Sequence, residues 1–194
     1  MKQESERRCP WCLGSTLYQQ YHDSEWGVPC RDEQILFEFL LLEGAQAGLS
    51  WSTILHKRNA YRLLFDNFDP TAVARYQNAK TEQLLSDSRI VRNRQKIKSA
   101  IGNARAFLSI QERYGSFSEY IWHFVDHTPV QNNFACVSDI PASSALSEHV
   151  SRQLKKAGFS FVGPTICYSF MQAMGLINDH IVSCPRHEAC RKLA

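Results

Sequence analysis

Apolar residues recur along this chain at the spacing of helix faces. Leu36, Phe39, Leu40 and Ala47 lie three, four and seven positions apart, and Asp32 is placed to cap the helix they predict over about 32–48. Ser50 caps a second predicted helix reaching Phe65, with Ile54, Leu55, Tyr61 and Leu64 inside. Asp69-Pro70 opens a short helix through Tyr76, and Thr81 to Asp87 forms another. The connector Ser88 to Asn93 leads into a long helix ending near Tyr114-Gly115. Ser118 to Val125, Ser144 to Ala157 and Pro164 to Asn178 complete the predicted helices, with Thr128 to Pro141 irregular. No strand alternation, internal repeat or interdomain linker stands out, so the reading is all-α: residues 1–194 as one compact unit with short polar tails at about 1–7 and 187–194.

One residue conflicts with this pattern. Glu43 lies seven after Leu36, four after Phe39 and three after Leu40, on the inward stripe. A carboxylate there must be paired, neutralised or aimed into a cavity, because unpaired burial costs about 3 kcal/mol or more. It either closes the loop at Gly48, pairs with an arginine, or serves a site.

Composition narrows the options. The chain has 194 residues, 44% of them hydrophobic, enough for one substantial core. The net charge of +3 leaves any nucleic-acid binding to a local patch. No apolar run approaches the roughly 18 residues a membrane span needs. Met1 to Arg8 is polar, without the apolar core of a signal peptide. Seven cysteines, an odd number and partly scattered, suit the reducing cytoplasm better than a disulfide framework.

Cys9, Cys12 and His22 cluster near the start; His180, Cys184, His187 and Cys190 cluster near the end. Zinc takes four nitrogen or sulfur ligands, and a closed set marks a structural site. Seven candidates compete for those four places. Cys9-x-x-Cys12 with Cys184-x-x-His187-x-x-Cys190 would make a knuckle, whereas Cys9, His22, His180 and Cys184 would staple the termini together.

The segment Arg89 to Lys98 places five basic residues in ten positions at a helix start. Free amides and the positive dipole end there suit a phosphate backbone, with Arg92, Arg94 and Lys96 as contacts. Gly163-Pro164 opens another helix start of the same kind, behind Arg152, Lys155 and Lys156. Trp11, Tyr18, Tyr21, Trp26 and Trp51 crowd the first quarter of the chain near Glu43. Most aromatics are core, and Trp26 is the foremost candidate for it. A carboxylate ringed by aromatics also suits a cationic planar ring, held by stacking, cation–π attraction and hydrogen bonds to ring N–H groups. Helical scaffold, phosphate-gripping helix starts and an acid in an aromatic pocket together suggest an enzyme that extracts a base from DNA.

Cys9-Pro10-Trp11, Tyr21 to Pro29, Leu42 to Trp51, Lys96-Ile97, Ile101 to Ala106 and Phe161 to His180 follow one another in a pattern that resembles the DNA-3-methyladenine glycosylase I (Tag) family. The resemblance runs collinearly from about Arg8 to Cys184. It implies a helix-hairpin-helix DNA glycosylase fold, with the hairpin at Ser88 to Arg94 and one structural zinc on Cys9, His22, His180 and Cys184. It further implies Glu43 on the edge of the methylated base, Tyr21 beside it, and Trp11, Tyr18 and Trp51 as aromatic walls. Two departures stand out: Ser88-Arg89 and Gln95 occupy a hairpin where the family often has glycine, and Pro164 replaces a residue with a backbone donor.

The expected reaction is hydrolytic excision of N3-methyladenine from alkylated double-stranded DNA by a monomeric, monofunctional enzyme that releases free 3-methyladenine. Lys96 then contacts phosphate or solvent and does not form a Schiff base. A non-catalytic, zinc-stapled DNA-binding module would share the ligands and the basic hairpin but would not need Glu43 among aromatics. A broader alkylpurine glycosylase that also removes 3-methylguanine would share every motif.

Overall fold

The computed structural model describes residues 8–193, so the N-terminal tail expected over 1–7 lies outside the described residues. Ten α-helices occupy most of them: α1 Thr16–Ser24, α2 Glu33–Gln46, α3 Trp51–Leu64, α4 Pro70–Ala74, α5 Asn78–Ser86, α6 Arg94–Tyr114, α7 Phe117–Trp122, α8 Ala145–Lys156, α9 Pro164–Ala173 and α10 Pro185–Arg191. None is long and apolar enough to cross a membrane.

The caps predicted at Asp32 and Ser50 are in place, and Asp69, which opens the helix at Pro70, caps it as well. Asp32 accepts from Ile35 N, Ser50 from Thr53 N and Asp69 from Thr71 N, each satisfying an amide the helix itself leaves open. Gly115, at φ 88°, ends α6 where the sequence reading stops it. Helix α2 is the centre of the molecule. Every residue from Leu36 to Ala45 is buried, so the inward stripe is too narrow a description. Helices α3, α6, α7 and α9 pack around it.

Three expectations need correction. The helix predicted over Pro164 to Asn178 stops at Ala173; Gly175 turns at φ 70° and the chain leaves extended. A Cβ there would lie 2.4 Å from the backbone of Val28, so only glycine permits this crossing. Ile177–Asn178 (β2) then pairs in parallel with Val130–Gln131 (β1), a two-residue ladder too short for alternation to reveal. The tail expected from 187 onward is largely α10, with His187 and Cys190 buried. His187 is fixed there through Nε2, 2.8 Å from Asn132 O.

Candidate functional site

Helix α2 carries two buried glutamates of opposite fate. Glu38 receives Arg58 Nε at 2.6 Å and Arg62 Nε and Nη2 at 2.9 and 3.1 Å; Arg58 also reaches Glu25. Its burial is compensated by charge and geometry. Glu43, only 3% exposed, has no such partner among the described residues, and burial alone lifts its carboxyl from 4.5 to about 8. The structural readings, a loop cap or an arginine pair, therefore do not apply.

Glu43 instead borders a cavity of about 260 Å³. Trp11, Tyr18, Tyr21 and Trp51 line it too, so all five base-site candidates converge although they come from three helices and the turn at Pro10–Cys12. Tyr21 is stacked on Phe39 at 6.2 Å and lies 5.4 Å from Trp51, ring centre to ring centre. Burial, then the charge of Glu43, holds its phenol well above the usual range, so it is an O–H donor at neutral pH. Trp51 is 8% exposed, and its Nε1–H is buried with no acceptor. An unpaired acid and an unpaired donor in one aromatic cavity leave hydrogen-bonding capacity for a ligand. Trp26 is core and wall at once: buried, bordering the cavity and 4.9 Å from Trp11.

Sequence reasoning missed Gln46, Ser169 and Gln172, which also line the cavity. The last two sit on one face of α9, three residues apart. Gln172 donates to Asp179 (2.7 Å), which also receives Tyr168 Oη and Asn132 Nδ2. Only the i,i+3 spacing could have hinted at the pair.

Beneath the aromatic wall, Cys9, His22, His180 and Cys184 are all buried, with their ligand atoms within 4.8 Å of one another. This joins the N- and C-terminal segments through one four-residue centre and resolves the competition among seven candidates. The two imidazoles are oriented from behind: His22 Nδ1 faces Asp23 Oδ1 at 2.8 Å, and His180 Nε2 donates to Trp26 O at 3.0 Å. That leaves His22 Nε2 and His180 Nδ1 for the centre, the arrangement metal-binding histidines adopt. The thiols divide one proton: the hydrogen bond from Cys9 holds Cys184 far below the usual thiol range and pushes Cys9 up. A buried Cys2His2 set of this kind is a metal site.

The basic segment divides. Arg92 is exposed and unpaired among the described residues, whereas Arg94 is forked onto Glu82, Nη2 to Oε2 at 3.0 Å. Asn93 Oδ1 accepts from the amides of Gln95 and Lys96, so the α6 start expected to be open is self-capped. Lys96 departs furthest from expectation, since its ammonium donates to Ala45 O (2.8 Å) and Ala47 O (2.6 Å). A phosphate would have to compete with both carbonyls. Helix α9 keeps an open start, with Gly163 at the cap, Pro164 next and no side chain closing it.

Comparison with known proteins agrees with this architecture. The methyladenine glycosylase family model matches residues 11–187. The chain is 51% identical over 177 residues to DNA-3-methyladenine glycosylase 1 of Escherichia coli (strain K12), covering 91% of this chain and 95% of that protein. It superposes on a crystal structure of 3-methyladenine DNA glycosylase I with a TM-score of 0.90 at 49% identity, covering 92% and 98% of the two chains. It also superposes on the Staphylococcus aureus enzyme, solved for its recognition of 3-methyladenine, with a TM-score of 0.90 at 35% identity, covering 93% and 96%. With that match along nearly its whole length, the chain belongs to the methyladenine glycosylase family.

Proposed function

We propose that this protein is a monofunctional DNA glycosylase that flips an N3-methyladenine nucleotide out of duplex DNA and hydrolyses its glycosidic bond. The observation that carries this reading is Glu43, buried and unpaired at an aromatic cavity.

N3-methylation gives the base a positive charge, so the bond to C1′ is already weakened. Water adds its oxygen to C1′, the C1′–N9 electron pair passes to N9, and the base leaves as neutral 3-methyladenine. The water's second proton goes to solvent, and the DNA keeps an abasic sugar. No carboxylate follows Lys96 in α6 until Glu112, near the far end of the helix, so the work falls on the base pocket. Trp11, Tyr18 and Trp51 wall the ring, Tyr21 donates from its neutral phenol, and Glu43 accepts from the base's N–H edge. A cation entering the cavity supplies the partner that Glu43 lacks and returns it to carboxylate, so binding expels a proton. Arg92 and the open α9 start at Gly163 are the positions suited to phosphates.

Cys9, His22, His180 and Cys184 would hold one zinc ion in a structural role. Tetrahedral Zn–S and Zn–N bonds set sulfur and nitrogen about 3.6 Å apart. The chain holds Cys184 Sγ 3.5 Å from His22 Nε2 and Cys9 Sγ 3.6 Å from His180 Nδ1. Four protein ligands would leave no open position, so zinc would supply stability, and by fixing His22 and His180 would steady Trp11 and Trp26, which pack against those rings, without entering the reaction.

The test is incubation of wild type and Glu43→Gln with methylated duplex DNA, followed by chromatography of released bases. Release of 3-methyladenine by wild type, with Glu43→Gln reduced by on the order of a hundredfold or more, supports the reading. Equal rates would remove Glu43 from the reaction, and no release by folded wild type would leave a DNA-binding protein.

A further inference from the structure

The connector that links α5 to α6 and the first turn of α6 that follows it are each tied to the rest of the protein. From α3, Lys57 Nζ donates to Ser88 O (3.0 Å) and Arg89 O (3.2 Å), while Tyr61 Oη, one turn later, accepts from Val91 N (3.2 Å). From α6, Lys96 donates to Ala45 O and Ala47 O. These two carbonyls belong to the last turn of α2 and to its C-cap, groups that a helix end leaves without an intrahelical donor. A cation there also opposes the negative end of the helix dipole.

The position of those carbonyls matters more than their number. Glu43 lies two residues before Ala45, and Trp51 lies four residues after Ala47. Glu43, Gln46 and Trp51 border the base cavity, but Lys96 does not; its side chain borders a separate crevice of about 20 Å³ beside Ala45, Tyr61 and Val91. We infer that Lys96 is a positioning residue for base excision: it fixes the Glu43–Trp51 segment against the hairpin, so that the part of the protein that meets the DNA backbone and the part that holds the flipped base move as one body. This rests on the glycosylase reading above and gives a role to a residue whose charge alone suggests a phosphate contact.

Lys96→Met keeps most of the aliphatic stem and removes the donors; Lys96→Arg keeps charge and donors. The measurements are single-turnover excision at saturating DNA, DNA affinity across a salt series, and affinity for free 3-methyladenine. For Lys96→Met the excision rate is expected to fall on the order of tenfold to a hundredfold, and free-base affinity to fall as well. DNA affinity and its salt slope stay as in wild type, and Lys96→Arg recovers most of the rate. Should Lys96→Met not fold, Lys96→Gln, which keeps two N–H donors without charge, is put through the same comparison. An unchanged rate and free-base affinity would overturn the inference. So would a salt slope lowered by about one with the rate intact, the signature of a lost phosphate contact. If wild type releases no base, the glycosylase reading fails on its own, and free-base affinity still decides the role of Lys96.

Discussion

Glu43→Gln is expected to make the protein more stable, increasingly so as the pH rises. In the folded state burial holds the Glu43 carboxyl at about 8, against 4.5 for an exposed glutamate. The native state therefore keeps a proton that the unfolded chain releases. The stability associated with that proton is fully present below about 4.5 and is lost as the pH climbs through about 8. Integrating between these values, wild type loses about 1 kcal/mol at pH 5 and about 4 kcal/mol at pH 8 relative to a side chain that stays neutral. Glutamine is such a side chain, with nearly the same shape. The advantage of Glu43→Gln should therefore grow by about 3.5 kcal/mol from pH 5 to pH 8, roughly 7–14 °C in melting temperature for a chain of this size. The assay is urea or thermal unfolding of both proteins, metal-loaded, at pH 5, 6.5 and 8. Metal release and every other titration occur in both proteins, so they cancel in the difference. An offset that stays constant across the three pH values would refute the reasoning, because it would mean that Glu43 is already ionised in the folded state across this range.

The other predictions concern the walls, the metal centre and the DNA contact. Trp51→Ala should weaken binding of free 3-methyladenine by about tenfold or more in calorimetry, as for other lost stacking surfaces; Trp51→Phe, which keeps one aromatic ring while removing the unpaired indole Nε1–H, should cost less. Gly27 has φ 79°, and a Cβ there would lie 3.0 Å from the His180 ring. Gly27→Ala should thus lower metal affinity by roughly 10–100-fold in a chelator competition, through displacement of an oriented ligand. Cys184→Ser should abolish stoichiometric metal by elemental analysis and lower the melting temperature, because binding energy at a closed site is folding energy. Arg92→Ala should reduce the salt slope of DNA binding by about one while the excision rate at saturation is unchanged.

How far the sequence discloses this molecule depends on whether a feature is local. Caps at Asp32 and Ser50 were readable, and the helix starts at Asp69 and Ser144 with them, because the side chain and the amide it satisfies lie within three residues. The aromatic wall and Glu43 were readable because an acid among apolar positions violates a local pattern. Spacing alone left the metal ligands open among seven candidates; the resemblance chose four, and the structure brings those four together. What escaped has its cause far along the chain. The β1–β2 ladder pairs residues 47 apart, and the buried residues of α10 meet distant partners, His187 at Asn132 and Cys190 beside Gly27. Lys96 shows the limit most clearly. In the sequence it is one of five basic residues in a run, and a run of charge at a helix start reads as a phosphate grip. Its acceptors are carbonyls 49 and 51 residues earlier, and no residue type signals an unsatisfied carbonyl because every residue carries one. Where a helix ends inside the protein, its last carbonyls need donors, and a lysine from a neighbouring element can supply them as well as a local cap can. Charge patterning therefore gives an upper bound on the phosphate contacts of this hairpin: with Arg94 on Glu82, Arg89 on Asp87 and Lys96 on α2, Arg92 and Lys98 are the cations of that run left without a protein partner among the described residues.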